Sequence, residues 1–204
     1  MRAAGPILTV MLIALVGAGS AHAATASSVN GFLTITDTAG ESSEIEVHYG
    51  STPPRYQVVD VFNPVSAGAG CVPTLSGGAL CTALGVARIV VDAKGGSDTV
   101  DLLTENDPGR VPAALRGGGG RDSLFGSLGD DALVGGSGND LLVGRGGDDE
   151  LFGGKGRDVF TGGGGLDRLF AADGRRDRVL NCGPGSNRRE RAKVDRLDPK
   201  PKSC

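Results

Sequence analysis

Between residues 117 and 170 the apolar and acidic positions recur every nine residues without an insertion. The units read GGGGRDSLF, GSLGDDALV, GGSGNDLLV, GRGGDDELF, GGKGRDVFT and GGGGLDRLF. Position 8 is always large and apolar: Leu124, Leu133, Leu142, Leu151, Phe160 and Leu169. Position 6 is always aspartate, namely Asp122, Asp131, Asp140, Asp149, Asp158 and Asp167. Glycine holds position 1 (Gly117, Gly126, Gly135, Gly144, Gly153, Gly162) and position 4 (Gly120, Gly129, Gly138, Gly147, Gly156, Gly165), and Gly119 adds one at position 3. The glycine-rich first half of each unit predicts a tight turn, after which the position-8 side chain points inward. The glycines permit the positive φ angles of a tight turn and let carbonyl oxygens converge where a Cβ would obstruct them.

Upstream, residues 24–92 alternate in strand fashion, as in residues 32–37, 44–49 and 56–61, with turn residues such as Ala39-Gly40 and Pro53-Pro54 between them. This predicts an all-β lead-in. Residues 87–100 read as a degenerate first coil, with Asp98 and Val100 in the aspartate and apolar phases. Residues 102–116 break the period and carry Pro108 and Pro112, which fits either a looser coil or a bulging loop. After Phe170 the phase weakens: Ala171-Ala172 replace glycines, Arg176 stands where position 6 wants aspartate, and Asp177 falls one residue late.

The first residues change the picture of where the chain works. Arg2, an apolar run from Ile7 to Val16 and then Ala21-His22-Ala23 have the three-part layout of a secretory signal peptide, so residues 1–23 are expected to be removed. The run is too short for the ~20 residues of a spanning helix. Four cysteines in an exported chain fit two disulfides, with the local pairing Cys71–Cys81 and Cys182–Cys204 expected. Composition argues against an ordinary core: there is no Trp, aromatics are 4% of residues, and 19 of the 36 glycines lie between Gly117 and Gly165. From Arg168 onward 11 Arg and Lys face 5 Asp and Glu, which reads as a polar closing cap. No aromatic residue follows Phe170 to stack on bases, so no nucleic acid partner is expected.

The nonapeptides resemble the hemolysin-type, or RTX, calcium-binding repeat. The resemblance implies a parallel β-roll, or β-solenoid, in which two nonapeptides make one coil. The expected organisation is a signal peptide at 1–23, an N-terminal β region at 24–92, a β-roll at 93–180 with regular repeats at 117–170, and a basic, disulfide-closed C-terminal cap at 181–204. Coils stacked ~4.7–4.9 Å apart would place a cation midway at roughly 2.4 Å from each layer along the axis, suiting Ca²⁺ and not Mg²⁺. Carboxylates of the six aspartates and carbonyl oxygens of the glycine turns form an all-oxygen donor set, which excludes Zn²⁺ and copper, and Asp98 is a weaker ligand candidate. Alternate units stack, Asp122, Asp140 and Asp158 on one edge and Asp131, Asp149 and Asp167 on the other, which gives four pairs of neighbouring layers and about four core ions on that geometry. Beyond Phe170 calcium binding is expected to fade.

The expected function is that of a secreted, non-catalytic calcium-binding module, structural or adhesive, which folds on binding Ca²⁺ and meets an envelope or matrix partner. It resembles small secreted proteins that carry RTX repeats with little else. The alternative is an accessory or minimal extracellular hydrolase, since RTX arrays often trail such domains. Against it, the chain has no His-Glu-x-x-His, no Gly-x-Ser-x-Gly and only two His. The apolar position-9 series, from Phe125 to Phe170, serves either local packing or contact with a partner.

Overall fold

The computed structural model describes residues 24–37, 42–51, 53–61, 63–104, 107–108, 110–171, 173–183, 191–194 and 196. The expected signal peptide and Cys204 lie outside them. The described chain is all-β. It opens on a hairpin of β1 (Thr25–Val29) and β2 (Phe32–Thr36), turned by Asn30-Gly31 at φ 53° and 81°, the two-residue turn that matches strand twist. A second antiparallel pair follows, β3 (Glu44–Ser51) and β4 (Pro54–Asp60). Then come β5 (Ser66–Ala67), β6 (Cys71–Pro73) and β7 (Ala79–Thr82), with β7 antiparallel to both β4 and β6. Cys71 lies opposite Cys81 and is disulfide-bonded to it, so this bridge closes a mid-chain hairpin. Cys182 is buried and also disulfide-bonded, but the C-terminal closure expected through Cys204 falls outside the described residues.

From β8 (Arg88–Asp92) and β9 (Thr99–Leu103) onward the chain winds as a flattened coil. Its further strands are β10 (Ala113–Gly119), β11 (Ser123–Phe125), β12 (Ala132–Ser137), β13 (Leu141–Gly146), β14 (Glu150–Lys155), β15 (Val159–Gly164), β16 (Arg168–Phe170), β17 (Val179–Asn181) and β18 (Arg191–Lys193). Successive strands alternate between two nine-stranded sheets. One has the order β18-β16-β14-β12-β10-β8-β2-β1-β5, the other β17-β15-β13-β11-β9-β3-β4-β7-β6. Parallel stacking begins before the repeats, since β2 pairs with β8 and β3 with β9.

Strand alternation then fixes the core. Ile35, Val91, Leu115, Leu133, Leu151 and Leu169 stand in one buried column, and Ile45, Val100, Leu124, Leu142 and Phe160 in the facing one. Within the repeats the register advances by 18 residues, two nonapeptides per coil. Turn glycines allow the coils to approach: at Gly138, φ 140°, a Cβ would overlap the carbonyl oxygen of Gly120 in the preceding coil. Between β9 and β10 the coil has an enlarged turn, where Asp107 N–H donates to the Thr104 carbonyl at 2.8 Å and the buried Tyr56 hydroxyl donates to the Asp107 carboxylate. Among the described residues no helix is long and apolar enough to cross a membrane.

Candidate metal centre

Position 6 of every repeat comes last before a strand, so the turn turns its carboxylate inward and the 18-residue register stacks it on its equivalents. On the first edge, where the turns run from β8 to β9, β10 to β11, β12 to β13 and β14 to β15, each carboxylate is tied to the coil before it. Asp122 Oδ1 accepts from Asp98 N–H, Asp140 Oδ1 from Asp122 N–H and Asp158 Oδ1 from Asp140 N–H, each at 2.9 Å. Ser43 N–H donates to Asp98 Oδ1 at 2.8 Å and closes the upper end. On the second edge Asp131 Oδ1 accepts from Ala113 N–H at 2.6 Å, Asp149 Oδ1 from Asp131 N–H at 2.9 Å and Asp167 Oδ1 from Asp149 N–H at 3.0 Å.

The second oxygen of these carboxylates is treated differently. Oδ2 of Asp98, Asp122, Asp140, Asp149 and Asp167 is buried with no hydrogen-bond partner. A buried, unpartnered anionic oxygen is costly unless something compensates it. Burial accordingly pushes these acids up: Asp149 to about 9, Asp98 and Asp140 to about 7 and Asp131 to about 6, with Asp122, Asp158 and Asp167 also raised. Hydrogen bonds from the backbone oppose the shift at every one of these aspartates, and neighbouring carboxylates add to it at Asp140 and Asp149.

Oδ2 lies against the main chain at a place that only glycine leaves open. A Cβ at Gly117, Gly126, Gly135, Gly144, Gly153 or Gly162 would press on Oδ2 of the aspartate of its own repeat. At Gly126, Gly135 and Gly144 that same Cβ would also come within 2.7 Å of a carbonyl oxygen one coil on, those of Gly144, Gly153 and Gly162. Carboxylate and carbonyl oxygens of neighbouring coils are thus gathered beside these glycines. Among the described residues no three Asp, Glu, His or Cys side chains come together, and a cation there would draw on one or two carboxylates with main-chain oxygens for the rest. That donor chemistry fits a hard ion of Ca²⁺ type.

The six aspartates are not equivalent. Asp131 Oδ2 is met by Ser127, from its N–H at 2.5 Å and its hydroxyl at 3.1 Å, so this carboxylate is provided for inside its own turn. The Gly119 carbonyl accepts from Gly96 N–H at 2.7 Å. Three participants escaped sequence reasoning. Asp177 takes the next rung of the first edge, its Oδ1 accepting from Asp158 N–H at 2.8 Å, because the turn before it absorbs one extra residue. Ser127 was hidden as a serine in a glycine slot. Arg145 occupies another such slot at φ 79°, and its guanidinium donates to the carbonyls of Leu102 at 2.8 Å and Gly126 at 3.0 Å and to Asp101 Oδ1 at 2.6 Å, over the Phe125 ring. A bulky cation where the motif asks for glycine was the available signal.

The family model for the RTX calcium-binding nonapeptide repeat (4 copies) matches residues 114–142 and 143–176, together under a third of the chain. Among curated proteins and among solved structures, nothing matches.

Proposed function

We propose that this chain, which carries RTX-type calcium-binding repeats, is an exported, non-catalytic module whose array orders on taking up Ca²⁺ and then serves a structural or adhesive role. The observation that carries the reading is the set of five buried Oδ2 atoms without hydrogen-bond partners, three of them, on Asp122, Asp140 and Asp149, in regular repeats with a neighbour on both sides. Asp122, Asp140 and Asp158 on one edge, and Asp131, Asp149 and Asp167 on the other, would hold the ions with main-chain oxygens of the turns, about four ions in the regular repeats by the stacking argument. Asp98 would add a weaker position. Bound Ca²⁺ supplies the positive charge that lets buried carboxylates remain ionised. The repeats bury one position-8 side chain per nine residues, too little to order so glycine-rich a chain, which supports coupling of binding to folding. Export is supported by the N-terminal layout of residues 1–23, and the absence of hydrolase motifs from the sequence supports the non-catalytic reading.

The test is calorimetric titration of the secreted protein with Ca²⁺ and with Mg²⁺, alongside far-ultraviolet circular dichroism. Calcium is expected to bind and to raise the β signal above that in chelator, and magnesium to do neither. A spectrum already folded in chelator, with no heat on adding calcium, refutes the reading.

A further inference from the structure

Outside its carboxylate ladder the first edge carries a row of arginines. Position 5 is Arg121 in one coil, Asn139 in the next and Arg157 in the third, and the following turn adds Arg175, Arg176 and Arg178. All five arginines are exposed. At ~4.7–4.9 Å per coil, the main chains of Arg121 and Arg157 stand about 9.4–9.8 Å apart along the stack. Arg157 Nε donates to the Arg176 carbonyl at 3.3 Å, so its side chain lies along the row. None of the five is ion-paired with a described carboxylate, whereas Arg145 is paired with Asp101, Arg168 with Glu150 and Lys94 with Asp92. The second edge has Asp130, Asp148 and Leu166 at the same position. The basic row therefore belongs to one edge only.

Arg121, Arg157 and Arg178, with Asn139, Leu141 and Val159, line an open groove of about 470 Å³, whose floor reaches Asp122 and Asp140. We infer that this groove binds a linear acidic polysaccharide laid along the stacking axis, with carboxylate or sulfate groups against the arginines. A row that repeats along an axis suits a polymer with repeated anionic groups better than a single small anion. Guanidinium forks match the planar carboxylate and the sulfate oxygens in pairs. No aromatic side chain lines the groove, so nucleic acid bases have nothing to stack on. The inference rests on the calcium reading above: the floor carboxylates oppose a polyanion until their charge is taken up, and only an ordered coil holds the arginines in line.

The experiment immobilises chondroitin sulfate, neutral dextran and single-stranded DNA and measures binding of the secreted full chain in calcium and in chelator, with the calcium response followed separately by circular dichroism. Chondroitin sulfate is expected to bind in calcium only, to weaken as salt rises, and to be preferred over dextran and DNA. The triple variant Arg121→Ala/Arg157→Ala/Arg178→Ala should bind it about ten-fold more weakly with its calcium response intact, while Arg110→Ala/Arg168→Ala, outside the groove, should change affinity less than about two-fold. An equal loss in both variants, binding to DNA as tight as to chondroitin sulfate, or no binding to chondroitin sulfate by protein that responds to calcium each overturns the inference. A chain that shows no calcium response at all sinks the underlying calcium reading instead.

Discussion

Residues 25–103 and residues 113–170 build the same two sheets around different interiors. The first stretch pairs its strands mostly by antiparallel hairpins, fills its core with Leu33, Ile35, Ile45, Val47, Tyr56, Val58, Ile89, Val91 and Leu102, and is bridged at Cys71–Cys81. The second contributes a single position-8 side chain per repeat and buries an aspartate beside each one. On the proposed reading, local pairing and apolar burial stabilise the first without a metal. The second has oxygen where the first has apolar mass, and on the same reading a cation supplies what the first obtains from packing.

The largest expected effect is therefore a split response to chelator. Hydrogen exchange should show protection lost across residues 113–170 while residues 32–60 and 79–102 stay protected, with fraying only where β8 and β9 lose their neighbours. Simultaneous loss in both stretches would erase the distinction. Next comes a paired truncation, read by urea unfolding in calcium. Leu142→Ala should destabilise the repeats by about 2–5 kcal/mol and have no measurable effect in chelator, where its stretch is already unfolded, whereas Ile45→Ala should cost about as much in both conditions. Equal behaviour of the two variants in chelator would count against the comparison.

Within the repeats, the aspartates differ in turn. Asp149→Ala removes a carboxylate with stacked neighbours on both sides and is expected to reduce the calcium count in a calorimetric titration by two, while Asp131→Ala, at the end of its edge and already served by Ser127, should reduce it by at most one. Identical losses would mean that neighbouring coils do not share ions. The smallest effect is that of pH. Burial holds Asp140 at about 7 and Asp149 at about 9, against about 4 for an unfolded aspartate, so the calcium-free array binds more protons when folded. That stabilisation is complete below about pH 4 and is lost as pH rises through 7 to 9. In chelator the β signal should grow partially as pH falls from 8 to 5. Apparent calcium affinity should fall over the same range, since protons and calcium compete for the same oxygens. A calcium-free β signal strongest at pH 8 would contradict the assignment.

The repeat is legible because nine-residue spacing reports directly on geometry: the phase of Asp and Leu marks the inward positions and the two edges. The lead-in was legible as strands but not as a continuation of the roll, because which strand of a hairpin meets β8 or β9 depends on contacts far apart in sequence. Asp177 falls one residue late in the period, yet turns absorb insertions that strands cannot, and its carboxylate reaches the ladder regardless. Arg145 acts through contacts between turns, which no period encodes, and Ser127 through a contact inside its own turn that a glycine slot conceals. The position-9 residues gained a partial answer: Phe152 and Phe170 stack face to face at 4.2 Å along one sheet, half-buried by each other.

Two nonapeptides per coil also set a length. The 54 residues from 117 to 170 advance the coil by three layers, roughly 14 Å at the usual strand spacing, while the same residues drawn out could span about 180–195 Å. With each coil fastened only to its neighbours, a pull on the two ends peels the stack one layer at a time. If the array orders only with calcium, as proposed, the ion level around the protein would set its reach: a short, stiff post where the ion is plentiful, and where it is scarce a tether that can be drawn out more than ten times as far.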